Sequence, residues 1–100
     1  MHYLLFYTVT KTDFTERRAK IKDEHLRWAL DAYDRGELLQ GGSLGNPPTE
    51  GSVLWFKGDS PKVAEDFARG DPYVRDGLVT EWVVKQWNTG LGPDAAAPPR

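Results

Sequence analysis

Apolar and polar positions change rhythm several times along the chain, and each rhythm predicts an element. Residues 2–9, HYLLFYTV, are aromatic and β-prone, which predicts a strand apolar on both faces. From Glu16 to Tyr33 the apolar residues recur with the period of a helix; Thr12, Asp13 and Thr15 offer caps at its start and Gly36 stops it. ELLQGGSL, residues 37–44, reads as a second strand ending in a Gly-rich turn, and GNPPTEG after it is a loop by its Gly, Asn and Pro content. SVLWFK, residues 52–57, predicts a third strand. Ser60 followed by Pro61 has the form of a cap and a first-turn proline, opening a short helix that runs to Gly70. Asp71-Pro72 repeats that signature and predicts one more turn, closed by Gly77. LVTEWVVKQWN, residues 78–88, is the last strand. GLGPDAAAPPR, from Gly90 onward, has no periodicity and reads as a loose tail.

The predicted order is β-α-β-β-α-β, an α+β, ferredoxin-like arrangement in which two helices cover one face of a four-stranded antiparallel sheet. Residues 1–89 then form the domain and residues 90–100 the tail. The sheet face away from the helices should be polar, yet the strands do not alternate that way. Leu4 and Phe6 alternate with Tyr3, Leu5 and Tyr7, Leu54 and Phe56 with Val53 and Trp55, and Trp82 and Val84 with Val83 and Trp87. An uncovered face of this kind calls for a partner. The pattern predicts a second copy on it, a homodimer packed sheet to sheet with room for higher assembly. The alternative is a monomer that offers the face to an apolar ligand.

Composition narrows the function classes. One hundred residues suffice for one small domain, and four Trp, four Tyr and four Phe can cover more than one buried face. A net charge of −2 argues against a general nucleic-acid binder. Without cysteine, disulfides, thiolate metal sites and cysteine nucleophiles are excluded. MHYLLFYTVT lacks a basic n-region and a small-residue cleavage site, and no stretch is long enough to span a bilayer. A cytoplasmic protein that does not engage membranes is the expectation.

The candidate chemistry lies in DEHLRWAL, residues 23–30. At about 100° per residue, Ile21, Trp28, Ala29 and Ala32 fall beside His25 on the inward stripe. Arg18 lies in line two turns earlier and Lys22 nearby one turn earlier. The stripe is therefore apolar toward its end and basic toward its start, as the wall and rim of a pocket would be. His25 reads either as a hydrogen-bonded packing residue or as an acid/base group that titrates near neutral pH. In the second case it needs a carboxylate to fix its tautomer. Asp34 points nearly opposite and lies too far along the axis. Asp71 is the better candidate; its place before Pro72 also suits a helix cap, and a carboxylate has acceptor sites for both roles.

RRAKIKDEHL, DRGELLQGGSLG, VLWFKGDSPKVAEDFARGDPYV and EWVVKQW, in this order over about residues 1–88, resemble the YCII-related (YciI-like) family. The His-Leu pair and the Asp-Pro-aromatic motif are the most diagnostic pieces. The resemblance implies a ferredoxin-like fold that dimerises as a dimeric α/β barrel, and a cleft in which a His and an Asp act as acid/base groups. The best understood activity of the family is dehydrochlorination of a hydroxylated aromatic. On this basis His25 and Asp71 are the catalytic candidates, and Arg18, Lys22, Trp28, Ser43 and Tyr73 the substrate-binding ones. One departure stands out: members often read Gly-Pro where this chain has Gly42-Ser43, which implies a differently shaped pocket floor.

Two functions fit. One is a cofactor-independent lyase, isomerase or dehydrochlorinase-like enzyme for a small anionic or phenolic compound. His25 moves the proton, Asp71 orients the imidazole, and Arg18 or Lys22 holds the negative charge. The other is a homodimeric, non-catalytic module that binds a small ligand in the same pocket. No metal is expected, because His2 and His25 are ill-placed to share one and no His-x-x-x-His spacing occurs.

Overall fold

The computed structural model describes residues 1–10 and 12–97. The elements follow the predicted order: β1 (His2–Val9), α1 (Phe14–Asp34), β2 (Leu38–Ser43), β3 (Ser52–Lys57), α2 (Lys62–Gly70), the single turn α3 (Pro72–Arg75) and β4 (Val79–Trp87). The four strands form one antiparallel sheet in the order β2-β3-β1-β4, so the first strand is central and the last lies at an edge. This is the α+β, ferredoxin-like arrangement read from the sequence.

Local chemistry sets the helix ends. Gly36, at φ 79°, follows the Arg35 cap of α1; its N–H donates to Tyr33 O and that of Glu37 to Ala32 O, the paired bonds of a Schellman turn. At the start of α2 the N-cap position is Pro61, one residue later than the sequence pattern puts it, and Ser60 Oγ accepts the Lys62 N–H at 3.2 Å from the residue before. At the start of α1 the sequence reading holds for the position but not for the chemistry. Asp13 is the N-cap in a left-handed conformation, φ 54°, with no cap bond from its side chain. Its backbone carbonyl accepts from Arg17 N–H instead.

The core lies between the sheet and the helices. Tyr3, Leu5 and Tyr7 of β1 and Leu54 and Phe56 of β3 are buried against Ala64, Phe67 and Ala68 of α2, with Phe56 and Phe67 ring to ring at 5.0 Å. In α1 only Ala32 is fully buried, and α1 packs mainly on β2 and α3. A register shift between Leu38 and Gln40 puts one extra residue into β2. Leu38 pairs with Phe56 and Gly41 with Leu54, so both face the helices despite the odd spacing between them. The same shift turns Ser43 to the helical side.

The opposite sheet face carries Leu4, Phe6, Val53, Trp55, Val83 and Trp87, with Val83 48% and Trp87 42% exposed. Both faces are apolar, as the strand patterns indicated. Residues 90–97 of the expected tail fold back at one end of the sheet. Thr89 Oγ1 accepts the Ala96 N–H at 2.7 Å and lies 2.7 Å from His2 Nδ1, while Thr89 O accepts from Ala97 N–H. Pro98, Pro99 and Arg100 of that tail lie outside the described residues. No described helix is long and apolar enough to cross a membrane.

Candidate active site

Asp71 sits where α2 ends and α3 begins, and it is fully buried. A buried carboxylate must have its lone pairs occupied. Oδ1 accepts the backbone N–H of Tyr73 at 3.0 Å and a bond from His25 Nδ1 at 2.8 Å. Oδ2 accepts the Tyr7 hydroxyl at 2.7 Å. The first of these is the helix-cap bond expected of Asp-Pro, and the second is the histidine pairing, so Asp71 fills both roles at once. Because an ionised carboxylate only accepts, the proton of the neutral imidazole belongs on Nδ1, which leaves Nε2 as the basic nitrogen.

Three elements bring this cluster together. His25 comes from the middle of α1, Tyr7 from the end of β1, and Asp71 and Tyr73 from the start of α3. The Tyr73 ring stacks on the imidazole with centroids 3.8 Å apart and planes 7° apart, which fixes the ring plane. Burial, the Asp71 charge and the hydrogen bond to it push the Tyr7 phenol far above its ordinary range, so it stays a neutral donor. Burial also pushes the Tyr73 phenol up, while the nearby Arg18 guanidinium pulls it back down.

A cavity of about 310 Å³ opens between α1 and the sheet. His25, Arg18 and Lys22 border it from α1, Tyr73 from α3, and Tyr7, Gly41, Ser43, Ser52 and Leu54 from the sheet. Phe14, Leu26, Leu38 and Leu78 supply apolar wall. Among the described residues no acidic side chain lines this cavity, and Asp71 stands behind the imidazole. Arg18 and Lys22 form a cationic rim, with the Arg18 guanidinium 5.9 Å from the Phe14 ring centroid. The volume is at the small end for ligand sites and suits a single ring.

Of the residues singled out from the sequence, His25, Arg18, Lys22, Ser43 and Tyr73 come together at this cavity, with Asp71 bonded to His25 behind it. Trp28 does not. Its indole N–H donates to Phe67 O at 3.0 Å and its ring packs on Gly70, so it joins α1 to α2. Trp28 shares a stripe with His25, but the stripe is wide enough to face two neighbours, and Trp28 faces the helix. Other residues of the site were not singled out, among them Tyr7, Phe14 and Ser52. For Tyr7 a signal existed, because a tyrosine on the core-facing side of a central strand needs a partner for its hydroxyl. Among the described residues no three His, Asp or Glu side chains are grouped as a metal ion would require.

A four-stranded antiparallel sheet with helices on one face defines the class as an α+β, ferredoxin-like protein, and a partly buried His25 backed by the buried Asp71 borders its small cavity. The chain belongs to the YCII-related domain family, whose model matches residues 1–88. Among solved structures it is similar to 5-chloro-2-hydroxyhydroquinone dehydrochlorinase from Burkholderia phenoliruptrix in complex with 2,5-dihydroxybenzoquinone. That match has a TM-score of 0.74 and 20% identity, covering 90% of this chain and 96% of the other. It is also similar to a NIPSNAP family protein from Agrobacterium tumefaciens, with TM-score 0.57 and 12% identity over 93% of this chain and 96% of the other. A second protein of that organism gives 0.56 and 18% over 97% and 99%. At these identities the likenesses establish the fold. The comparison with curated proteins gives no match.

Proposed function

We propose that the protein is a cofactor-independent enzyme that moves a proton on a small, planar, hydroxylated ring compound bound as an anion. The single observation that carries this reading is the His25 imidazole, held by Asp71 at 2.8 Å on one nitrogen and bordering the cavity beside two cations. Nε2 takes a proton from a substrate hydroxyl or ring carbon. Asp71 then faces the imidazolium, and Arg18 and Lys22 hold the phenolate or enolate that forms. If the ring carries a halide, its electron pair leaves with the halide and the net change is loss of HX. If it carries none, the proton returns elsewhere and the net change is isomerisation. The similar dehydrochlorinase and the quinone bound to it support the ring-shaped substrate class.

The same reading makes the chain a homodimer, with a second copy on the apolar sheet face that carries Leu4, Phe6, Val53, Trp55, Val83 and Trp87. The activity test is halide release and quinone absorbance on a panel of halogenated and unhalogenated hydroxyhydroquinones, together with calorimetric titration by 2,5-dihydroxybenzoquinone. Wild-type protein should turn over at least one member, and His25→Ala should lose about 10²–10⁴-fold. Tight binding without turnover would turn the reading into that of a ligand-binding module, and undiminished activity in His25→Ala would remove the proton-transfer role.

A further inference from the structure

Asp71 does not meet the cavity, so whatever it contributes passes through the imidazole, and the strength of that contribution depends on what else holds the carboxylate. Tyr7 is the only side chain besides His25 that donates to it among the described residues. Its ring is 4% exposed and its hydroxyl has one partner, Asp71 Oδ2 at 2.7 Å. The geometry points to Tyr7 as a positioning residue that tunes His25: by donating to Oδ2 it draws negative charge away from Oδ1 and weakens the hold of Asp71 on the imidazolium. The imidazole then becomes free to act as a base at a lower pH than a His-Asp pair alone would allow. This inference rests on the proton-transfer reading above and goes beyond it in assigning a residue that adjusts the pH range of the base.

The physical basis is competition for one carboxylate. Hydrogen bonds to an ionised group are about twice as strong as neutral ones, and in a buried site each donor reduces what the oxygen can offer the next. Tyr7 remains protonated because burial and the facing charge oppose its ionisation, so the donation persists across the working range. The other groups that face His25 are Tyr73 from α3 and Arg18 and Lys22 along α1. All three are unchanged when Tyr7 alone is altered, so the comparison isolates the hydroxyl. Tyr7→Phe keeps the ring and its packing.

Two measurements on the full chain test this. The first follows the His25 ring protons by NMR across pH in wild type and Tyr7→Phe; the midpoint should move to higher pH by about 0.5–1 unit. The second follows kcat/KM on a turned-over panel member, where the acid limb should move by the same amount. With Asp71→Asn already in place, Tyr7→Phe should add no further shift, because the coupling runs through the carboxylate. Replacing Tyr7 with 3-fluorotyrosine, a stronger donor of nearly the same size, should move the midpoint the other way, and this holds as a test if Tyr7→Phe does not fold. An unmoved midpoint in the folded variants, or a rate loss equal at every pH, overturns the role of Tyr7. Absence of turnover by wild type overturns the proposed function instead and leaves the NMR comparison to decide this inference.

Discussion

Gly70 offers the sharpest test of how the site is held. It is the last residue of α2 and directly precedes Asp71, and a Cβ built on it falls within the van der Waals radius of the six-membered ring of Trp28. The indole cannot easily step aside, since its N–H is bonded to Phe67 O at 3.0 Å. By helix propensity alone Gly70→Ala should stabilise the chain by up to about 1 kcal/mol. Overpacking a fixed ring costs about 1–3 kcal/mol, so the sign is set by packing and the net expectation is a loss of about 1–2 kcal/mol. In a domain of this size that lowers Tm by about 4–16 °C. The functional consequence is larger than the thermodynamic one. Pushing the end of α2 away from α1 carries Asp71 away from His25, and a displacement of about 1 Å at a reacting group can cost on the order of 10²-fold in rate. Thermal and urea unfolding, with turnover on the same samples, measure both effects. Trp28→Leu in the Gly70→Ala background should recover activity because it removes the obstructing ring. A Gly70→Ala protein that melts higher than wild type, with full activity, would refute the argument from packing.

Two further outcomes follow from other parts of the molecule. Burial, the N-terminal amine and Lys57 lower the pKa of His2, with Asp94 opposing them. A histidine depressed in the folded state binds its proton more readily when unfolded, so stability should fall as pH drops below about 6.5. The urea midpoint should therefore decline between pH 7.5 and pH 5, and His2→Gln should flatten that decline; an equal decline in the variant would refute the assignment. On the open sheet face, Val83→Lys places a charge in the middle of the proposed dimer contact. Sedimentation at micromolar concentration should show a dimer for wild type and a monomer for the variant, and a monomeric wild type would refute that use of the face.

The fold was legible because each element carries its own punctuation: Gly36 and Gly77 at helix ends, Ser60-Pro61 and Asp71-Pro72 at helix starts. His25 and Asp71 could be paired from the helical wheel, the Asp-Pro motif and the family resemblance together. What escaped is what depends on distance through the fold. Tyr7 reads as one of three large residues on the inward side of β1, and only the register of α3 above it reveals that its hydroxyl meets Asp71. Trp28 was grouped with His25 because a wheel gives direction from the helix axis, not which neighbour occupies that direction. Ser43 was expected at the pocket, but it faces that way through a shift between Leu38 and Gln40 that an alternation pattern does not reveal. Residues 90–97 lack any periodicity, and what ties them down is the pair of bonds from the Ala96 and Ala97 N–H groups to Thr89, whose hydroxyl also meets His2.

The strand order β2-β3-β1-β4 also has a kinetic consequence. β1 is made first and lies in the centre, yet one of its two neighbours is β4, paired Leu5 to Val84 at the far end of the chain. Until β4 is in place, β1 exposes an edge of unpaired backbone N–H and C=O groups beside the apolar faces of Leu4 and Phe6, a template for pairing with another unfinished chain. Such long-range pairing delays folding because the loop must close before the contacts reward it. Nascent or destabilised chains should therefore be most prone to aggregate through β1, and protection of the β1 amides from hydrogen exchange should appear only when β4 has joined the sheet.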